Sequence, residues 1–392
     1  MIALPLDIAA RFIRGATEIE RLGSGLAPLR LPAWTRAQHA DRWIELWSAQ
    51  TVGVRLVART CARRIAIEMT VTRMVPADAT APPFPCLAVA TIGGAEVGRA
   101  EIVAGPTIHT RPDGTWSEAD GPRSVVEFAL PESDVEREVT IWLPHNGATV
   151  IHGVSADAPL EEAAASARPR WVHHGSSISH CLEAETPLGP WPQQVARALD
   201  LQLTNLAIAG NAQLDPFVAR TIVAQPADIL TLELGVNIVN ADSMRRRTFI
   251  PALHGFMDLI REGHPHIPIV VLTPIACPAI EGTPGPTKKR ADGRYHGSPR
   301  EVTDGDGTLT LGIVRSLIRG VIESRSHTDR LLWGTDGRTL FGDADVALLW
   351  DGLHPSQAGY DLVSQRFIDS TRDPASGLHA AFAGVLAQTQ SS

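Results

Sequence analysis

From residue 169 onward, short and almost wholly apolar runs alternate with longer stretches of helical periodicity, and this alternation most narrows the choice of fold. The runs fall at 169–174, 202–208, 229–234, 267–273 and 330–334; the helical stretches fall at 192–199, 215–224, 243–262, 308–324 and 356–370. A strand that is apolar at successive positions must be covered on both faces, and strand–helix alternation builds a parallel sheet between two helical layers. The spacing predicts a three-layer α/β/α unit.

The first run, Trp171-Val172-His173-His174, stops at Gly175-Ser176-Ser177-Ile178. A strand that breaks at a Gly-Ser turn and resumes as a helix sets a hydroxyl at the C-terminal edge of the sheet, where α/β enzymes hold reacting groups. Ser177 is therefore a candidate nucleophile. A serine hydroxyl needs a base, a group to orient the base and donors for an oxyanion. Asp351-Gly352-Leu353-His354-Pro355 supplies an acid and an imidazole on one loop, with His354 as base and Asp351 as its orienting partner. Gly210, after 202–208, and Asn237, after 229–234, follow two further strand-like runs, where a backbone N–H and an amide can meet a developing oxyanion beside the Ser177 N–H. Taken singly, each has a plainer reading: Ser177 as a helix cap, His354 as one of 14 histidines, Gly210 and Asn237 as turn residues.

Together these blocks resemble the SGNH or GDSL hydrolases, whose four motifs are named for Ser, Gly, Asn and His. The matching positions are Gly175-Ser176-Ser177-Ile178, Gly210, Gly235-Val236-Asn237 and Asp351-Gly352-Leu353-His354, in family order and spread over about half the chain. The resemblance implies a flavodoxin-like α/β/α SGNH hydrolase domain and an acyl-enzyme mechanism. Ser177, Asp351 and His354 would be catalytic, with Ser177, Gly210 and Asn237 forming the oxyanion hole. Two positions depart from the family: its acid before the nucleophile is Ser176 here, and the acid after the third-block asparagine is Ile238, with Asn240 a candidate to restore polarity.

At 392 residues the chain is long enough for two cores. Residues 52–154 read as strands at 52–59, 64–73, 86–92, 124–130 and 138–143, separated by Pro, Gly and Asp clusters, which predicts a β-sandwich or jelly roll ahead of the α/β domain. The expected domains are 1–165 and 166–392, with 157–170 a connector containing a helical turn. Trp34, Trp43, Trp47, Trp116 and Trp142 fall in the first half as packing residues or as platforms for sugars. The Gly- and Pro-rich stretch 277–306 interrupts the α/β pattern and is expected on the Ser177 edge as a substrate wall, with Arg294, Tyr295 and His296 facing a ligand.

A net charge of -8 without a concentrated basic face argues against nucleic-acid binding. No apolar run approaches the ~18 residues of a membrane span, and an N-terminus interrupted by Asp7 and Arg11 is a poor signal peptide, so a cytoplasmic location is expected. Cys61, Cys86, Cys181 and Cys277 are scattered without a Cys-x-x-Cys pair, so neither a disulfide framework nor a metal site is expected. His173 and His174 lack further ligands and read as packing residues, His180 and Cys181 as pocket lining. No cofactor is implied. The expected function is hydrolysis of a short-chain acyl ester of a small molecule or carbohydrate. The alternatives are acyl transfer to an alcohol and, from another class, glycan binding beside a decayed catalytic domain.

Overall fold

The computed structural model describes residues 1–111, 115–302 and 305–389, and the chain divides into two compact units. One comprises Met1–Ser166 with Ala184–Pro190; the other comprises Ala167–Glu183 with Trp191–Ser392.

In the first unit, alternation decides the packing. Arg64–Val75 turns Ile65, Ile67, Met69 and Val71 to one side, and it pairs antiparallel with Ser124–Ala129 and Ala148–Ala156. A second sheet, built from Arg55–Thr60, Arg137–Trp142 and Leu87–Ile92, turns Leu56, Ala58, Val139, Ile141, Ala88 and Ala90 into the same cluster. Two sheets sharing one apolar interior make a β-sandwich. The expected strands are present with ends shifted by up to three residues, while the hairpin Glu18–Leu22/Gly25–Leu29 escapes a reading by pattern. Its second strand is buried along its whole length and contains Pro28, so neither alternation nor β-propensity marks it. The stretch 157–170 forms no helical turn: Glu161–Glu162 pairs with Arg59 and Ala58, extending the second sheet. Trp142 is buried and donates its indole N–H to Thr91, Trp43 and Trp47 stack on each other, and Trp34 and Trp116 reach the surface.

The second unit holds, among the described residues, a five-stranded parallel sheet ordered Gln202–Asn205, Arg170–His174, Ile229–Glu233, Ile269–Leu272, Leu332–Thr335. Its strands are buried almost throughout because helices cover both faces. Trp171 packs with Trp191, Phe367 and Phe382 on one face; His174, of opposite parity, lies against Phe256 on the other. The order is flavodoxin-like, and after Arg170–His174 the chain moves to one side of that strand, then crosses to the other. The crevice at such a switch point, outside the carboxyl ends of the strands, is where ligands settle in open α/β sheets. His173 and His174 are sheet residues with partners, Thr231 Oγ1 at 2.6 Å and the Leu206 carbonyl at 2.8 Å. Burial depresses His173 to about 3, which leaves it uncharged.

Candidate active site

Ser177 opens a one-turn helix, Ser177–His180, directly after the strand Arg170–His174. Ser176 caps that helix by accepting from the Ile178 N–H at 3.1 Å. Gly175 is required by space: a Cβ there would stand 2.7 Å from Ser179 Oγ and 2.8 Å from Glu233 Oε2. Cys181 ends the turn in the left-handed region at φ 58°, its thiol bonded to the Ile178 carbonyl and pushed well above the ordinary range by burial. Trp191 braces the same carbonyl through its indole N–H at 3.0 Å.

Three residues from opposite ends of the unit then form one row. Ser177 Oγ lies 2.9 Å from His354 Nε2, and His354 Nδ1 lies 2.7 Å from Asp351 Oδ2. The other carboxylate oxygen, Asp351 Oδ1, accepts the N–H groups of Leu353 and His354 at 3.0 and 2.8 Å. Asp351 therefore shapes its own loop while holding the imidazole. Burial works to raise the Asp351 carboxyl, but the hydrogen bond and charge of His354 and the two N–H donors outweigh it and hold the group below its usual range. Burial likewise opposes charge on His354, and nearby Glu183 and Asp351 overcome it, raising the imidazole to about 8.

The donors expected at an oxyanion have been left open. Asn237 sits in the first turn of Val236–Ala241, and its Oδ1 accepts from the Ala212 N–H at 3.0 Å. That contact assigns the amide's ends and leaves its NH2 group without a partner among the described residues. The Ser177 N–H, at the start of its helix, and the Gly210 N–H are also unbonded among the described residues. Gly210 has φ +72°, and open space surrounds its missing Cβ, so backbone conformation rather than crowding calls for glycine.

Two acids that sequence reasoning missed flank this machinery. Glu233, the last residue of Ile229–Glu233, accepts from the Ser176 N–H at 2.7 Å, the Ser176 hydroxyl at 2.6 Å and the Ser179 hydroxyl at 3.3 Å. A carboxylate thus reaches the turn where the resembling family carries its acid in the preceding position. Glu183 lies with Oε1 3.8 Å from His354 Nδ1 and accepts from the Tyr360 hydroxyl at 2.7 Å. Burial raises both acids. Neither had a sequence signal beyond proximity of Glu183 to Ser177. Asn240 restores no hydrogen bond through its Oδ1, which is buried without a partner among the described residues.

The stretch 277–306, whose residues 303–304 lie outside the described ones, meets the relay. Tyr295 donates its N–H to the Asp351 carbonyl at 2.9 Å and stands edge-on to the His354 ring at 5.7 Å. With Pro278, Ala279, Arg294, His296 and Gly352 it lines a cleft of about 270 Å³. His180 is buried in the nucleophile helix. Among the described residues no cluster of His, Cys, Asp or Glu could hold a metal ion, and no helix is long and apolar enough to cross a membrane.

A flavodoxin-like sheet with Ser177, Gly210 and Asn237 following the carboxyl ends of three strands, and Asp351-x-x-His354 on a loop that reaches Ser177, defines an SGNH-type hydrolase, an enzyme of ester chemistry. Comparison with known proteins agrees: over residues 174–362 the chain matches the model of the GDSL-like Lipase/Acylhydrolase family. Its activity is that of an acyl hydrolase or an acyltransferase. No curated protein matches the sequence. Among solved structures, Salicylyl-Acyltransferase SsfX3 from a Tetracycline Biosynthetic Pathway is 26% identical, with a TM-score of 0.74 over 93% of this chain and 93% of that one. A family two carbohydrate esterase from Cellvibrio japonicus shares 13% identity and a TM-score of 0.55 over 99% and 98% of the two chains. One from Clostridium thermocellum shares 13% and 0.52 over 81% and 91%. At that identity the two esterases share the fold alone.

Proposed function

We propose that the protein hydrolyses a short-chain acyl ester, carried by a sugar, another polyol or a natural product, through an acyl-enzyme on Ser177. The observation that carries this reading is the unbroken row from Ser177 Oγ through His354 to Asp351, at 2.9 and 2.7 Å. With Nδ1–H donated to Asp351, Nε2 is left as the acceptor for the Ser177 proton. Oγ attacks the ester carbonyl as the proton passes to Nε2, and the oxyanion is met by the N–H groups of Ser177 and Gly210 and the NH2 of Asn237. His354 then protonates the leaving alcohol. A water, deprotonated by the same nitrogen, releases the acid and restores Ser177.

A second reading, transfer of the acyl group to an alcohol, is favoured by the 26% identity that extends along nearly all of the salicylyl-acyltransferase chain. The two differ only in what resolves the acyl-enzyme, water or an acceptor hydroxyl. Glycan binding beside a decayed catalytic domain is disfavoured, because a decayed site has no reason to retain the intact row and three open donors.

The test is turnover of p-nitrophenyl esters from acetate to octanoate by the wild type and Ser177→Ala, with mass spectrometry of the enzyme. Steady release from acetate that disappears in the variant supports the esterase. A wild type that gains an acyl group on Ser177 but turns over only when a polyol is added supports the transferase. Equal release by both proteins would sink Ser177 as nucleophile.

A further inference from the structure

A serine-based relay with one aspartate accounts for the orientation of His354, but not for a second carboxylate on the same imidazole nitrogen. We propose that Glu183 is a positioning residue for the reaction: fixed by the Tyr360 hydroxyl, it stands as a second acid at Nδ1 of His354 and shares with Asp351 the stabilisation of the imidazolium. This rests on the reading of Ser177 and His354 as the reacting pair.

The geometry separates the two acids. Asp351 Oδ2, at 2.7 Å, takes the single Nδ1 proton in a hydrogen bond, and Glu183 Oε1, at 3.8 Å, is too far to compete for it. Glu183 acts through its charge, across a short path from which water is largely excluded: its side chain is 6% exposed and that of Asp351 1%. Inside a protein such a charge acts with several times its strength in water. When Ser177 gives up its proton the ring becomes positive, and two anions then face it rather than one. No proton passes to Glu183; Nδ1 keeps its own, and Nε2 carries the one from Ser177.

The carboxylate could not stay there without support. Tyr360, fully buried on the helix Gln357–Arg372, donates its hydroxyl to Oε2 at 2.7 Å and leaves Oε1 turned to the imidazole. Other charged or titratable groups around His354 are Asp351 on its own loop and Lys289 and Tyr295 from the segment 277–306, while Cys181 adjoins Tyr360. Lys289 opposes the imidazolium, and Glu183 is the foremost of the groups that favour it.

The experiment is the pH profile of kcat/KM for the wild type, Glu183→Gln, Asp351→Asn and the double variant, on whichever p-nitrophenyl ester the wild type turns over best. Glu183→Gln should move the acid limb, which reports His354, to lower pH and lower the plateau about tenfold, the size of an interaction worth one pKa unit. The same change should cost more in the Asp351→Asn background, where Glu183 is the remaining acid. A purely structural role would leave the limb in place. If Glu183→Gln does not fold, Tyr360→Phe keeps the carboxyl but strips its donor, which favours its neutral form and should shift the limb the same way. An unmoved limb in whichever of these variants folds overturns the inference while leaving the esterase reading intact; activity surviving in Ser177→Ala would remove the reading itself.

Discussion

On the proposed mechanism Ser177 gives one proton and His354 has one nitrogen free to take it, so the rate would be governed by the charge state of that ring. With His354 raised to about 8, the base is neutral only above that pH, and kcat/KM should climb to a plateau with a midpoint near it. An acid limb near the ordinary 6.5 would show that the neighbouring acids do not act on the ring. The linked effect on folding has a definite sign. Because folding raises the pKa, the bound proton stabilises the native state fully below 6.5, and that contribution disappears as pH rises through 8. If, as proposed, the Asn237 amide meets charge that exists only in the transition state, Asn237→Ala should lower kcat by about 10² to 10³ with little change in KM. A change confined to KM would assign Asn237 to ground-state binding instead. At this scale Ser177, His354 and Asp351 were legible because each lies in a short local motif. Glu183 and Glu233 were not: their roles depend on partners 177 and 57 positions away along the chain.

At the scale of elements, two strand ends carry the site and each is tightly constrained. Gly235, between the strand Ile229–Glu233 and the helix bearing Asn237, has φ +112°, and a Cβ there would stand 2.5 Å from Val314 Cγ1. Gly235→Ala should therefore cost about 1–3 kcal/mol from backbone strain and overpacking, read by denaturant unfolding. A neutral result would mean that the helix Leu311–Ser326 yields. Glu233→Ala would orphan the buried Ser176 N–H, a loss of about 1–3 kcal/mol, and should loosen the turn that aims Ser177. Strands of the α/β unit were legible as largely apolar runs, but their ends were not. The run 202–208 is regular strand only to Asn205, whose Oδ1 accepts from the Ala207 N–H, a local bond no hydropathy pattern expresses, while the Leu206 and Ile208 N–H groups still reach the carbonyls of His173 and Gly175. The helix predicted from 243 begins at Arg246, after Asp242 closes the preceding helix in the left-handed region.

For the whole molecule, the path of the chain matters more than the number of its units. After entering the α/β unit it contributes Ala184–Pro190 to the β-sandwich unit before returning. Leu188, buried against Val89 and Trp142, belongs to that segment. A fragment of residues 167–392 would expose Leu188, at a cost of about 1.5–3 kcal/mol if no new partner replaces the old ones. It should melt below the corresponding transition of the full chain in calorimetry; an unchanged melting temperature would show that the segment refolds at no loss. By itself, the sequence determined the layered α/β class and the sandwich ahead of it, and it marked the three residues that the fold brings into one row, because periodicity and short motifs are local and survive in one dimension. Tertiary structure alone decided the strand order that brings residues 177 and 354 within a hydrogen bond, the acids that reach the nucleophile turn and the imidazole, and the crossing at 184–190. Those depend on which distant surfaces exclude water together, and burial gives a carboxylate its force only once the chain has closed around it.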